Sequence, residues 1–413
     1  MLYRLTTAIR LALDSIRVHK LRSFLTVLGV VVGVASVVVV GAAIDGLGVY
    51  AESVTAKSFG SESYLIAQIA SVGRLTGREL AEKQRYNKRI RPEDVNFLRT
   101  ETGDSIIYSP YSQRLEDIKG GNQVYEAASV IGVSYTLPDI RDVPIEDGRF
   151  FTESEERMRA PVAIIGQDIR DALFPSVQPI GQKVRAAGRE FTVIGLLERQ
   201  GSSFGRSLDN PIYIPATLFA EIYGTQNGIA FFGKARKNSG LSMDEALDTT
   251  RVALRSRFHA QPGKPDNFDT LTPDSVRSFI DQILGVISAI VVPVTSISLI
   301  VGGIVIMNIM LVSVTERTRE IGIRKSLGAK QNEILLQFLV ESVILSLVGG
   351  LIGITAGAVL AEGMSVIFGI GVKITATYVV LSILVSSTVG IISGWYPARR
   401  AARLDPIIAL RAE

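Results

Sequence analysis

Four stretches of the chain run for twenty positions or more without a charged residue: 25–44, 282–315, 342–361 and 374–398. A bilayer core about 30 Å thick is crossed by roughly 20 helical residues, so each stretch is long enough to span it. Buried helices of a soluble core are normally shorter and broken by charge. Basic residues precede the first stretch, as in a signal peptide. Its apolar run exceeds the roughly 7–15 residues of a signal sequence and no clear small-residue cleavage site follows, so it reads as a retained anchor. The expected layout is transmembrane helix 1 at 23–45, a large insert at 46–280, helix 2 at 281–314, a connecting segment at 315–333, helix 3 at 334–361, a short loop at 362–374, helix 4 at 375–397 and a basic tail at 398–413. Residues 1–22 form a leader. In it Leu2, Leu5, Ile9, Ala12, Leu13 and Ile16 share one helical stripe, while Arg4, Arg10, Asp14 and Arg17 fall elsewhere. That pattern predicts an amphipathic helix lying along the membrane surface, in contact with its lipids.

The insert switches to short apolar or alternating runs punctuated by Gly and Pro, which predicts mixed α and β structure. Strands are expected at 125–133, 161–165, 183–186, 191–197, 212–214 and 229–232. Helices are expected at 91–100, 167–173 and 243–258. The first of these helices has Pro92 at an early position and Glu93 and Asp94 in its first turn, as helix starts favour. A second subdomain is expected to be inserted near 135–225.

The spans carry small residues four apart: Gly29 and Gly33 in span 1, Gly349, Gly353 and Gly357 in span 3, Gly390 and Gly394 in span 4. Missing side chains let helix backbones approach, so these seven glycines are expected to pack helix on helix. Span 2 is too long for its task. Residues 283–314 would measure about 48 Å as a helix, so part of it should project beyond the bilayer or tilt, with Pro293 a candidate kink.

Charge orients the chain. Fourteen basic residues flank the spans on three segments: Arg4, Arg10, Arg17, Lys20 and Arg22; Arg317, Arg319, Arg324, Lys325 and Lys330; and Arg399, Arg400, Arg403 and Arg411. The loop between spans 3 and 4 carries only Lys373. By the positive-inside rule the three basic segments, and both termini, face the cytoplasm of a bacterial inner membrane, and the insert is periplasmic or extracellular. Those segments sum to +8 in a chain of net charge +4, so the rest is negative. The basic excess therefore belongs to the membrane's inner face and is not a nucleic-acid footprint. The fold class that follows is an α-helical membrane protein of four transmembrane helices with a large extracytoplasmic mixed α/β (α+β) domain between helices 1 and 2.

Chemistry is sparse. The chain has no Cys and only two His, which excludes disulfides, a cysteine nucleophile and His or thiolate metal clusters. No phosphate loop, zincin motif or nucleophile elbow occurs, so no catalytic residue, metal site or cofactor is expected in this chain. Glu155-Glu156 reads as a solvated loop. The distinctive segment is 314–329, VTERTREIGIRKSLGA, where Glu316, Arg317, Arg319, Glu320, Arg324 and Lys325 alternate in sign beside an apolar edge of Ile321, Ile323 and Leu327 and end at Gly328. A compact charged helix there suits docking on a soluble protein; charge alone equally suits a solvated turn.

This segment, continued through Ile334, Leu335, Leu336, Gln337 and Phe338 to Glu341 and Ser342, closely resembles the loop of MacB-like ABC-transporter permeases of the FtsX-like superfamily. The tail from Tyr396 and Pro397 through Ala398, Arg399, Arg400, Ala401, Ala402, Arg403, Leu404, Asp405 and Pro406 resembles that family's ending. The start from Lys20 to Gly29, and insert motifs such as Gly148-Arg149-Phe150-Phe151 and Val162-Ala163-Ile164-Ile165-Gly166, resemble its beginning and its periplasmic core domain. The resemblance implies the permease subunit of a type VII transporter, paired as a homodimer and served by a separate cytoplasmic ABC ATPase that would hold ATP and Mg. It implies that Glu316, Arg317, Thr318, Arg319, Glu320, Ile321, Gly322, Ile323, Arg324, Lys325, Leu327, Gly328 and Ala329 are the ATPase-coupling segment. It further implies that ATPase movement is passed to the outer domain (mechanotransmission) for efflux of a periplasmic substrate, with a periplasmic adaptor and outer-membrane channel as further partners. Extraction of lipoproteins, or a non-transporting scaffold that activates a cell-wall hydrolase, stays open beside efflux.

Overall fold

The computed structural model describes residues 20–60, 62–121, 123–203, 206–368 and 375–411. The leader, up to residue 19, and residues 369–374 of the expected loop lie outside them, while 362–368 continue a helix. Two compact units result, Met1–Tyr50 with Asp281–Glu413, and Ala51–Ile280.

The first unit is helical. Its long helices are Lys20–Phe59 and Pro273–Glu316, both of which run past the unit's bounds, and Gln331–Phe368 and Ala376–Ala402, here spans 1 to 4. Each is long and apolar enough to cross a membrane. Span 2 has 44 residues, about 66 Å at 1.5 Å per residue. Pro293 sits inside that helix without ending it. The spans share a core of Val30, Val34, Leu299, Ile306, Met310, Ile334, Phe338 and Ala398.

The second unit is built on one ten-stranded sheet. Its strands are β1 (Ser63–Ala67), β2 (Ile106–Gly120), β3 (Gln123–Val133), β4 (Ile145–Gly148), β5 (Val162–Ile165), β6 (Lys183–Ala186), β7 (Arg189–Leu197), β10 (Pro211–Pro215), β11 (Ala230–Ala235) and β12 (Asp269–Leu271). β8 (Ser202–Ser203) and β9 (Arg206–Ser207) form a separate small hairpin. The order is β12-β1-β11-β2-β3-β10-β5-β7-β4, and β6 pairs with both β2 and β7. Strands β2, β3, β10, β5, β7 and β6 thereby close on themselves, leaving β12, β1 and β11 as an extension from β2.

Period-two alternation sorts the side chains onto two faces. On one face Tyr64, Ile66, Tyr108 and Phe231 pack under helices Pro92–Thr102 and Met243–Arg257. Further along, Ala128, Val130, Ala163, Ile165, Ile212 and Ile214 pack under helices Gln167–Leu173 and Ala216–Tyr223. The intervening residues Ile131, Val133, Ile164, Tyr213 and Phe232 point the other way, onto Leu137, Ile140 and Phe151. Helix starts are set by side chains. Thr76 with Glu79, Thr152 with Glu155 and Ser242 with Glu245 form capping boxes.

Two sequence expectations need correction. Glu155-Glu156 is not a solvated loop but part of helix Glu153–Arg157. There Glu155 pairs with Arg149 at 2.6 Å, and the buried Glu156 accepts from Ser134 Oγ and Tyr135 N. β2 was absent from the expected strands. Its second half carries Arg114, Glu116, Asp117 and Lys119 and is largely exposed, so no apolar run marks it.

Candidate functional site

Between spans 2 and 3 the charged segment folds as a helix of its own, Thr318–Ser326. Arg317, at φ −102° and ψ 14°, leaves helical geometry and separates it from span 2. Thr318 Oγ1 donates back to Val314 O and Thr315 O, occupying carbonyls freed by the break. At the far end Gly328 has φ +97°, a left-handed conformation that L side chains rarely adopt. It turns the chain toward span 3.

One side of this short helix is fixed to the bundle. Ile321 and Gly322 are buried, Ile321 in the shared core with Ile334, Phe338 and Ala401. Arg324 Nη1 donates to Gln337 Oε1 at 2.8 Å, and Lys325 Nζ donates to Leu404 O at 2.6 Å. Arg317 lies 3.5 Å from the buried carboxylate of Glu341. The other side is open: Arg319, Glu320, Ile323 and Leu327 are exposed, as is Glu316 just before the helix, while Thr318 and Ala329 are half-buried. The expected apolar edge is thus divided, with Ile321 inward and Ile323 and Leu327 outward. Leu327, at 83% exposure, is an apolar side chain left on the surface.

Sequence reading did not single out what lies beside it. The tail residues Pro406–Arg411 form a helix packed against Thr318–Ser326. Asp405 starts that helix by accepting from Ile407 N, and Ile407 and Ile408 are exposed. Pro406 at the first helical position was the available signal.

The packing glycines have definite neighbours. A Cβ on Gly29 would stand 2.8 Å from Gly302 Cα, joining spans 1 and 2, and one on Gly33 would meet Leu299. On Gly353 it would meet Val34 and the Val31 carbonyl, on Gly357 Val38 and the Ala35 carbonyl, joining spans 1 and 3. Gly390 faces Ser346 and Gly394 faces Ser342, joining spans 3 and 4. Gly349 is buried in span 3. Gly302, Gly303 against Ser393, Gly350 against Ser386 and Gly41 against Tyr378 make further close approaches; the Gly302-Gly303 pair in span 2 is not among the seven expected glycines. At the other end of span 1, Asp45 accepts from Thr375 Oγ1 at 2.8 Å and Tyr378 OH at 3.1 Å, tying it to the start of span 4.

The arrangement is a set of apolar helices in close backbone contact, carrying a charged helix fixed on one side and open on the other.

Comparison with known proteins shows the family. Residues 23–256 match the MacB-like periplasmic core domain, and residues 293–406 match the FtsX-like permease C-terminal domain. The uncharacterized ABC transporter permease YknZ of Bacillus subtilis is 34% identical, over 98% of this chain and 98% of its own length. The macrolide export ATP-binding/permease protein MacB of Neisseria meningitidis is 32% identical over 98% of this chain. The chain spans 60% of the length of that relative. The crystallised periplasmic region of MacB from Actinobacillus actinomycetemcomitans overlays on 55% of the chain and 95% of its own, with 17% identity and a TM-score of 0.43. The two domain matches and the sequence identities carry the assignment: this chain belongs to the MacB-like, FtsX-like family of ABC-transporter permeases.

Proposed function

We propose that this chain is a transmembrane subunit that couples ATP binding and hydrolysis by a cytoplasmic ABC ATPase to movement of its large domain outside the membrane, for export of a periplasmic substrate. The observation that carries this is the helix Thr318–Ser326. Its inner side is fastened to span 3 by Arg324–Gln337 and to the end of span 4 by Lys325–Leu404. A push on its open side therefore loads the bundle directly. The exposed Arg319, Glu320, Ile323 and Leu327, with Ile407 and Ile408 on the neighbouring tail helix, supply a mixed charged and apolar surface for the ATPase. Charged positions steer and register such a contact, and apolar anchors hold it.

The three basic flanks support a cytoplasmic position for this surface. Span 2, more than twice as long as the bilayer core is thick, carries motion outward beside a second copy of the chain. ATP and Mg belong to the ATPase; the chain itself has no phosphate loop to hold them. A periplasmic adaptor and an outer-membrane channel would complete the export path.

The test is co-purification and ATP turnover. The purified chain alone should not hydrolyse ATP. The chain with its ATPase should, and the variant Ile323→Ser with Leu327→Ser should lose most of the bound ATPase while remaining folded. Full ATPase binding by that variant would remove the helix from the interface.

A further inference from the structure

Many guanidinium groups of the mixed domain that stand near the surface have a carboxylate. Arg149, Arg157, Arg159, Arg185, Arg189 and Arg199 each form an ion pair within 3.0 Å. Arg141 does not. Among the described residues the one hydrogen bond of its guanidinium is a long one, 3.4 Å from Nη2 to Tyr213 OH. Its Nε is buried and has no hydrogen-bond partner in the protein. Arg251 also has an Nε without a hydrogen bond, but its charge is met by Asp248 and Asp266. A half-buried cation with an unmatched donor is costly, since burial removes solvation that no partner replaces. Such a group in a folded protein calls for an explanation.

The surroundings of Arg141 are aromatic. The guanidinium carbon lies 5.6 Å from the centroid of Phe232. Tyr111 meets Phe232 edge-on at 5.4 Å, and Phe150 lies 6.5 Å from Tyr213. All four rings belong to the same face of the sheet, because Tyr111, Tyr213 and Phe232 sit at matching phases of β2, β10 and β11. Arg141, Tyr111 and Phe150 are half-buried and form the accessible part of the patch, over the buried Tyr213 and Phe232. The Tyr111 phenol is pushed up to about 12 by burial and by Tyr213. It therefore stays neutral at physiological pH and does not serve as the missing anion.

We infer that Arg141, with Tyr111 and Phe150 and backed by the buried Tyr213 and Phe232, forms a binding site for an anionic amphiphile, the guanidinium taking its carboxylate, sulfonate or phosphate and the accessible sides of Tyr111 and Phe150 taking its apolar body. The guanidinium fork matches a two-oxygen acceptor. The rings supply area and hold the cation in place. This goes beyond the coupling role: binding here requires neither ATPase nor transport, so the two can fail separately.

The test is equilibrium dialysis of the full chain in discs of phosphatidylcholine, with naphthalene-2-sulfonate as probe and empty discs subtracted. One saturable site per chain is expected. Arg141→Met, which keeps the stem's bulk, should weaken it about tenfold or more, whereas Arg141→Lys should retain part of it. Arg236→Met, at an exposed ion pair elsewhere, should leave it unchanged. The neutral 2-naphthylmethanol should bind more weakly and show no dependence on residue 141. Competition by dodecanoate would identify a free acid as the ligand type. Competition only by phosphatidylglycerol in the disc would identify a lipid headgroup. Absence of saturable binding, or equal binding by wild type, Arg141→Met and Arg141→Lys with unchanged melting, would overturn the site.

Discussion

At the scale of single residues, neighbouring positions in one sequence motif have opposite duties. Ile321 is core and Leu327 is surface, though both looked like one apolar edge. Ile321→Ala should destabilise the helical unit by about 2–5 kcal/mol, as large-to-small core changes do, lowering its melting point without selectivity for partners. Leu327→Ala should leave melting unchanged and act only on ATPase binding. Glycines divide the same way. Gly353→Val should cost about 1–3 kcal/mol by overpacking, because its Cβ would stand 2.8 Å from Val34 Cβ and 2.9 Å from the Val31 carbonyl. Gly48→Ala, with nothing within 4 Å, should be silent in the same thermal melt. Acid titration offers a further test in the mixed domain. The Arg149 guanidinium, with the Thr152 cap, holds the Glu155 carboxyl at about 2. Its folded value is depressed, so its contribution is present above about pH 4.5 and lost as pH falls from there toward 2. Glu155→Gln should therefore lower the melting point at pH 7, and the deficit should shrink across that window. A deficit independent of pH would mean that the charge contributes nothing. Burial raises the adjacent Glu156, so its term runs the opposite way and fades as pH rises.

Among elements, legibility followed the strength of the physical constraint. A bilayer tolerates no unsatisfied backbone and few charges, so the four spans stand out as uncharged runs. Two helices of the mixed domain were equally readable: Gln167–Leu173, which starts after Gly166 without a side-chain cap, was expected at its observed bounds, and Met243–Arg257, capped by Ser242, within one residue. Strands β5, β7 and β10 were legible as short apolar runs bounded by Gly or Pro, whereas β1, buried on both faces, was not among the expected strands. Others were hidden where one face is wet, as along β2, or where only three residues pair, as in β12. Helix Gly77–Tyr86 was missed because it buries no residue. It is held by its capping box and by Lys83 on Asp269 at 2.6 Å, long-range chemistry that no local pattern announces. The partners of the charged helix, Gln337, Glu341 and Leu404, were invisible for the same reason. Gly322→Pro in that helix should be disruptive, because it removes a backbone donor and clashes with the preceding turn, about 3 kcal/mol or more. It should uncouple ATP turnover from export even where some ATPase remains bound. Retention of full export would demote the helix to a connector.

For the whole molecule, the coupling proposal makes two demands. Orientation comes first: with no native cysteine, a thiol at the exposed Ser176 should label in intact cells, whereas one at Ser326 should label only after permeabilisation. External labelling of Ser326 would invert the orientation. Movement comes second. Val286 on span 2 is 57% exposed, and a cysteine there in each of two chains should cross-link in one nucleotide state. The link should stop export, and reductant should restore it. Full activity of the locked pair would exclude relative motion at that level. A last consequence concerns biogenesis. β1 follows directly on span 1, yet both its neighbours, β11 and β12, come from the far end of the domain, with Ala67 opposite Asp269. During synthesis β1 must wait, both edges open, until nearly the whole domain has emerged. Its sequence, Ser63 to Ala67, is apolar and buried on both faces in the finished sheet, which makes the nascent strand a ready template for wrong pairing. Early anchoring by span 1 keeps that strand at the membrane while it waits, so the last residues translated before span 2 are the ones that seal the sheet.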